Sequence, residues 1–285
     1  MTIRTGTAGD TPALRALWEL CFPGDQKFSE LFFKSMYMPS CARVLLEGES
    51  LAAALYAFPY EFTQPGGKHL HSWYIYGVGT HPALRGKGYA GALIEKTLRE
   101  AWETDVDLCC LIPQDQGLFE FYRRFGFKPA FFLHEEIYSK TDSIVQSGLI
   151  RPAEPRDILQ LDALYNRKLA AVSHLVRPLA HWDRILREFE LYGGVVYVLE
   201  QMGALQAYGA YVYQGGVGTI QEIFAVNHTC KGFLLGRIAE LVGQGQIHCI
   251  FPGGATPLGS ACPLTSAGEK ALETIPPIYM NLMHN

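Results

Sequence analysis

The sequence predicts a mixed α/β protein made of two copies of one strand-and-helix unit. Three observations support this. The 285 residues are enough for two ordinary hydrophobic cores. A segment at the start of the chain recurs near its middle, and each copy then runs from an apolar strand through a glycine into a helix. The recurrence aligns Ile3 to Trp18 with Ile150 to Tyr165 without a gap, pairing Arg4 with Arg151, Asp10 with Asp157, Leu14 with Leu161 and Leu17 with Leu164.

Each copy begins as a short strand feeding a helix. Leu14, Leu17, Trp18 and Cys21, and in the second copy Leu161, Leu164 and Tyr165, recur at helical spacing after a polar start. Pro12 suits a first helical turn, where a missing N–H breaks no bond. Val44 to Glu47 and Leu51 to Tyr56 read as a hairpin turning near Gly48-Glu49. Tyr197 to Glu200 and Leu205 to Tyr211 read likewise, turning near Met202-Gly203. Apolar runs follow, Trp73 to Thr80 in the first copy and Thr219 to Val226 in the second. A boundary in the polar stretch from Ser139 to Gly148 gives two domains, 1–148 and 149–285. The end of the chain, Pro276 to Met283, reads as a last strand of the second.

Composition narrows the function. Hydrophobic residues make up 48% and charged residues 18%, and no apolar run approaches the roughly 18 residues that span a bilayer. The N-terminus lacks the basic and apolar pattern of a secretory signal, so the expected location is the cytoplasm, away from any membrane. Seven cysteines, without paired spacing, argue against a metal site or a disulfide framework and for buried thiols. A net charge of −4 without a basic cluster argues against a nucleic-acid partner.

The chemistry lies in the segment after Thr80, where His81-Pro82-Ala83-Leu84 leads into Arg85-Gly86-Lys87-Gly88-Tyr89-Ala90-Gly91 and a helical run. A strand, a glycine-bearing loop and a helix form an anion site, because the unpaired N–H groups of a first helical turn point to one place. A Walker A loop requires Lys followed by Ser or Thr, and Lys87 is followed by Gly88. The dinucleotide pattern fits Gly86, Gly88 and Gly91, but that pattern opens directly from a strand in the first βα unit of its domain, and here other strands come first.

The segment from Val78 to Leu93 resembles the acetyl-CoA signature of the GNAT (GCN5-related) N-acetyltransferase superfamily, with Arg85, Gly88 and Ala90 at its defining positions. After the expected strand Val106 to Ile112, the run from Gly117 through Tyr122 to Gly126-Phe127 resembles the GNAT ending in which a helix carrying Tyr closes on Gly-Phe. The resemblance covers about residues 1–138. It implies two tandem GNAT-like domains and acetyl-CoA as cosubstrate. Backbone groups of Val78, Gly79 and Thr80 would meet the pantetheine arm, and Arg85, Gly86, Lys87, Gly88, Tyr89, Ala90 and Gly91 would meet the pyrophosphate. Lys87 reads equally as a solvated loop charge.

Amide formation from a thioester needs a neutral amine, a donor to the developing oxyanion and a proton for the leaving thiolate. Tyr122 is the expected general acid. Glu61 is the best internal candidate for the base, with His69, His71, His81 and water as alternatives. The arrangement also resembles the enhanced intracellular survival family of aminoglycoside and polyamine acetyltransferases. In that family the chain's terminal carboxylate acts as base from a third, sterol-carrier-like domain. With 285 residues no such third domain is expected, and the Asn285 carboxylate stands only as a further alternative to Glu61 and water for the base.

In the second copy, Thr229 to Leu234 aligns with Arg85 to Ala90. Gly232 is retained, but Thr229 replaces the arginine and Leu234 the alanine, so no acetyl-CoA is expected there. The expected function is transfer of acetyl to a primary amine of a small molecule or peptide, with a non-catalytic acyl-CoA-binding sensor or scaffold as the alternative. Phe32, Trp73, Tyr74 and Tyr76 either cradle an ammonium or belong to the core.

Overall fold

A computed structural model describes residues 1–24, 26–139, 147–273 and 278–283. The chain runs β1 (Thr2–Thr5), α1 (Thr11–Cys21), α2 (Gln26–Ser35), β2 (Ala42–Glu47), β3 (Ser50–Gln64), β4 (Lys68–Thr80), α3 (Tyr89–Glu103), β5 (Leu108–Leu111), α4 (Gln116–Arg123) and β6 (Lys128–Ser139). It continues through β7 (Leu149–Pro152), α5 (Ile158–Leu169), β8 (Ser173–Leu175), α6 (Leu179–Leu191), β9 (Val195–Gln201), β10 (Ala204–Gln214), β11 (Val217–Ala225), α7 (His228–Leu241), β12 (Gln246–Pro252), β13 (Thr256–Pro263), α8 (Ser266–Leu272) and β14 (Ile278–Tyr279). No helix among the described residues is long and apolar enough to cross a membrane.

The contacts define two compact units, and neither is a single stretch of chain. Unit 1 comprises Met1–Thr63, Lys68–Phe131 and Pro257–Ile275; unit 2 comprises Gln64–Gly67, Phe132–Thr256 and Pro276–Asn285. A single cut at residue 148 therefore does not reproduce the division. Strand pairing is the physical reason. β13 pairs antiparallel with β5 in unit 1, while β6 pairs antiparallel with β12 in unit 2, so each unit takes an edge strand from beyond the expected boundary. The polar stretch that suggested the boundary lies largely at 140–146, outside the described residues.

In unit 1 the strand order is β1-β2-β3-β4-β5-β13. Helices α3 and α4 cover a core of Leu93, Ile94, Ala101, Ile75, Cys109, Leu111, Tyr122 and Phe127. Leu14, Leu17 and Trp18 of α1, at the spacing of one helical face, are buried. They meet Phe28, Phe32 and Phe33 of α2 in an aromatic cluster with Tyr56 and Tyr76. The C-terminal segment is fastened by Asp107, whose carboxylate accepts from Thr265 Oγ1 at 2.7 Å and from the His71 amide at 3.0 Å.

Unit 2 has the order β6-β12-β11-β10-β9-β7, with β8 and β14 paired in parallel. The C-terminal residues thus do supply a strand to this unit. The aligned Arg–Asp pairs make the same bridge in both units. Arg4 grips Asp10 bidentately at 2.7 and 2.8 Å, and Arg151 grips Asp157 at 2.6 and 2.8 Å. Each aspartate also closes a capping box at the helix entry. Among the described residues, unit 2 alone encloses a fully buried ion pair, Arg177 with Glu222, joined bidentately at 2.9 Å and lined by the Tyr208 and Tyr279 hydroxyls.

Candidate active site

The end of β4 is where unit 1 opens. The parallel register of β4 with β5 runs from Ser72↔Leu108 to Tyr74↔Cys110, and β5 ends at Leu111. β4 continues to Thr80, so its edge beyond Tyr74 is left to accept another partner. Gly77 kinks the strand here with φ +58. A Cβ at Gly77 would lie 2.8 Å from Trp18 Cζ3 and 3.0 Å from Tyr56, and one at Gly79 would lie 3.0 Å from Cys21 Sγ. The backbone can therefore lie this close to the α1 aromatics only as glycine. Val78, Gly79 and Thr80 are on this last part of β4.

The following loop holds its own shape. His81 starts a 3₁₀ turn in which its Nδ1 accepts from the Ala83 amide at 3.3 Å and its carbonyl accepts from Leu84 at 2.8 Å. That use makes His81 a loop-former. Arg85 Nε donates to the Thr80 carbonyl at 3.4 Å. Gly86 and Gly88 have φ of +82 and +81, and a Cβ at either would meet nothing within 4 Å. The space beside both glycines is open. Gly88 is the N-cap of α3, and no side chain caps that terminus. The amides of the first turn, Tyr89, Ala90 and Gly91 among them, therefore point to a common site without an internal partner.

Lys87 is less free than the sequence implied. Its Nζ lies 3.4 Å from Glu47 Oε1 and 5.8 Å from the Tyr89 ring centroid. The Tyr89 hydroxyl also bonds Glu47, which together with Lys87 holds that carboxylate below its usual range. Glu47 was not anticipated from the sequence, since a lone acid beside a hairpin turn reads as solvated surface.

Tyr122, near the end of α4, is 7% exposed and packs edge-on against Phe121 at 5.2 Å and Phe127 at 5.9 Å. Burial pushes its phenol up to about 12. It therefore remains a protonated donor throughout the neutral range.

Glu61 does not join this site. The Ser72 hydroxyl bonds the Tyr60 carbonyl and the His81 amide bonds the Ala52 carbonyl, which places Ala52 at the loop end of β3 and Glu61 near the other. At the usual rise of a strand the two ends are on the order of 30 Å apart. The Glu61 carboxylate is instead exposed and lies 3.4 Å from His69. A strand-end acid is legible from sequence, but which end it marks depends on hairpin register. His71 is also at the far end, its amide bonded to Asp107. Asn285 lies outside the described residues.

Of the four candidate aromatics, the three on β4 separate by strand alternation. Trp73 faces the α3 side, with the Arg43 guanidinium over its ring at 5.2 Å, whereas Tyr74 and Tyr76 face α2. Phe32 is fully buried and belongs to the core. Trp18, Phe22 and Tyr56, packed round Gly77, were not predicted as site neighbours; the signal was the pair of glycines interrupting an apolar strand. Six cysteines are buried and Cys21 is half-buried, all as free thiols.

Residues 2–130 match the acetyltransferase (GNAT) domain family. Among solved structures, a GCN5-related N-acetyltransferase from Anabaena variabilis is similar at 20% identity and TM-score 0.76, covering 94% of this chain and 74% of that one. A probable N-acyltransferase from Enterococcus faecalis is similar at 19% identity and TM-score 0.75, covering 92% and 72%. Eis1 from Mycobacterium abscessus is similar at 15% identity and TM-score 0.71, covering 96% and 76%. These likenesses establish the shared mixed α/β fold. No curated protein matches the sequence.

Proposed function

We propose that unit 1 transfers acetyl from acetyl-CoA to a primary amine of a small molecule or peptide, with Tyr122 as general acid. The observation that carries this reading is the uncapped N-terminus of α3, set behind an open two-glycine loop at the end of a strand that has parted from its neighbour. Acetyl-CoA supplies the activated acyl group as a thioester. The amides of Gly86 to Gly91 would hold its pyrophosphate, and Arg85 can add a charge-assisted bond. The free edge of Val78, Gly79 and Thr80 would bind the pantetheine arm as a strand binds a strand, aligning the thioester for attack.

Tyr122 then serves the departing sulfur. A thiol in water titrates near 8.5, so complete transfer from a phenol at about 12 would be uphill by roughly 5 kcal/mol. The same desolvation raises the thiol, as the buried Cys110 and Cys262 illustrate, and this narrows the gap. The proton is shared as the C–S bond breaks. With Glu61 distant, the ammonium loses its proton to water or enters as the free amine. Residues 1–148 as catalytic domain and 149–285 as its non-catalytic companion remain part of the proposal, with the strand exchange as amendment. The location proposed for this chemistry is the cytoplasm, the compartment of its cosubstrate.

The test is thiol release from acetyl-CoA against polyamines, aminoglycosides and peptide N-termini, with Tyr122→Phe in parallel. The expected result is turnover on one amine class, falling about 10²-fold or more in the variant at unchanged acetyl-CoA affinity. Binding without turnover on every amine would favour a sensor or scaffold.

A further inference from the structure

In unit 1, β5 is followed by α4, whose Leu118 and Phe121, with Phe125 just beyond it, pack on the core beside Leu93 and Ile94 of α3. Unit 2 has the same strand-then-helix start in β11 and α7, but β12 is followed by no helix. Gly253 and Gly254, with φ of +88 and +91, turn the chain directly into β13, which is counted with unit 1 from Pro257. The face of β12 and β6 beside α7 consequently carries a cavity of about 470 Å³. That is within the usual range for small-molecule sites, roughly 300–1,000 Å³.

Its walls combine apolar surface from Leu235, Ile137 and Phe251 with one internal cation. Lys231 is half-buried, and its Nζ stands 3.7 Å from the Phe251 ring centroid. Among the described residues no hydrogen bond or ion pair reaches the Lys231 side chain, whose backbone amide is bonded to the Asn227 carbonyl at 3.1 Å, so the ammonium has an aromatic face below it and no acceptor for its donors. Burial accordingly lowers its pKa, with Glu136 and Cys249 acting in the opposite direction. The Glu136 carboxylate is 60% exposed and lies 3.2 Å from His134 Nε2. His228 also lines the cavity, and the Tyr138 hydroxyl is bonded to the Gly232 carbonyl at 3.4 Å.

We propose that this cavity in unit 2 binds a small amphiphilic anion, its carboxylate or phosphate head accepting from Lys231 and its apolar body lying along Phe251, Ile137 and Leu235. An anion would supply the missing acceptor for a partly desolvated ammonium, and the apolar walls would recover hydrophobic burial from the rest of the ligand. The site is separate from the α3 loop of unit 1 and does not depend on the acetyl-transfer reading.

Calorimetric titration of the full chain with octanoate, octyl phosphate and octylamine tests this, since the three share a tail and differ in head. One anion should bind at a single site at least about tenfold tighter than octylamine, and the tighter of the two identifies the head. Lys231→Met, which keeps the packing, should weaken it about tenfold or more. Ser139→Trp, an exposed change at the cavity mouth, should do the same without touching the cation. Both variants are checked for wild-type thermal unfolding. Equal binding of octylamine, no effect of Lys231→Met, or no binding of either anion at millimolar concentration would overturn the proposal. Acetyl-CoA binding should be unaltered in both variants, so failure here would leave the reading of unit 1 standing.

Discussion

The helices α3 and α7 follow corresponding strands and begin in opposite ways. Between β4 and α3 the chain inserts a 3₁₀ turn and two left-handed glycines, and the helix starts with no side-chain cap. Between β11 and α7 there are only Val226 and Asn227, and the Asn227 side chain accepts from the Cys230 amide at 2.8 Å. Gly232, aligned by sequence with Gly88 just ahead of α3, lies inside α7 rather than in a loop before it. One terminus has no side-chain cap, while the other satisfies a donor with its own side chain. The proposed phosphate site therefore falls at the terminus whose amides no side chain serves, and not at the capped one.

Four measurements would break or sharpen this contrast. The largest effect belongs to unit 2, which has its ion pair inside. Arg177→Met leaves the Glu222 carboxylate uncompensated at 1% exposure and should destabilise by about 3–5 kcal/mol in thermal or urea unfolding. Arg43→Met in unit 1, whose partner Glu100 is 21% exposed, should lose only about 1 kcal/mol. Comparable losses would show that the two units do not differ in this respect.

Next is the loop itself. Gly86→Ala with Gly88→Ala should weaken acetyl-CoA by about 100-fold in a calorimetric titration, because two Cβ atoms would enter space now open and each positive φ adds about 1–2 kcal/mol of strain. Undiminished affinity would remove the loop from the site.

The Arg–Asp bridges come third. Asp157, at 3% side-chain exposure, is more enclosed than Asp10 at 15%, so Asp157→Asn should cost about 2 kcal/mol and Asp10→Asn about half as much. Both carboxyls are held below the usual range, first by hydrogen bonding from their arginines. A lowered folded-state pKa stabilises above the unfolded value near 4 and is lost as pH falls through the folded one. The difference between wild type and variant should accordingly shrink below about pH 4.

The smallest effect is at the α7 cap. Asn227→Ala should lower stability by about 1 kcal/mol and leave acetyl-CoA binding unchanged. A second cofactor equivalent bound by this variant would mean that the cap alone had kept unit 2 silent.

Local patterns were legible because they depend on neighbours in sequence. The helical spacing of Leu14, Leu17 and Trp18, the hairpin turns at Gly48 and Gly203, and the glycines of the loop are read from a few residues each. The Arg4–Asp10 and Arg151–Asp157 matches found the same bridge twice. β4, by contrast, begins at Lys68, well before the apolar run, since the polar end of a strand carries no hydrophobic signal. Glu61 was misplaced for a related reason: side-chain chemistry names a candidate base, but hairpin register decides which end of the sheet it occupies.

By itself, then, the sequence determined the mixed α/β class, the strand–loop–helix order proposed here as an anion site, and Tyr122 on a helix closing at Gly126-Phe127. Only the tertiary structure decided that β6 and β13 complete the units in exchange, that Lys87 is shared with Glu47, and that Lys231 stands inside a cavity without an acceptor. The division has a physical cause. Helix starts, turns and glycine conformations are set by short-range sterics and hydrogen bonding, whereas edge-strand partnership and the burial of a charge depend on residues more than a hundred positions away, whose proximity only folding creates.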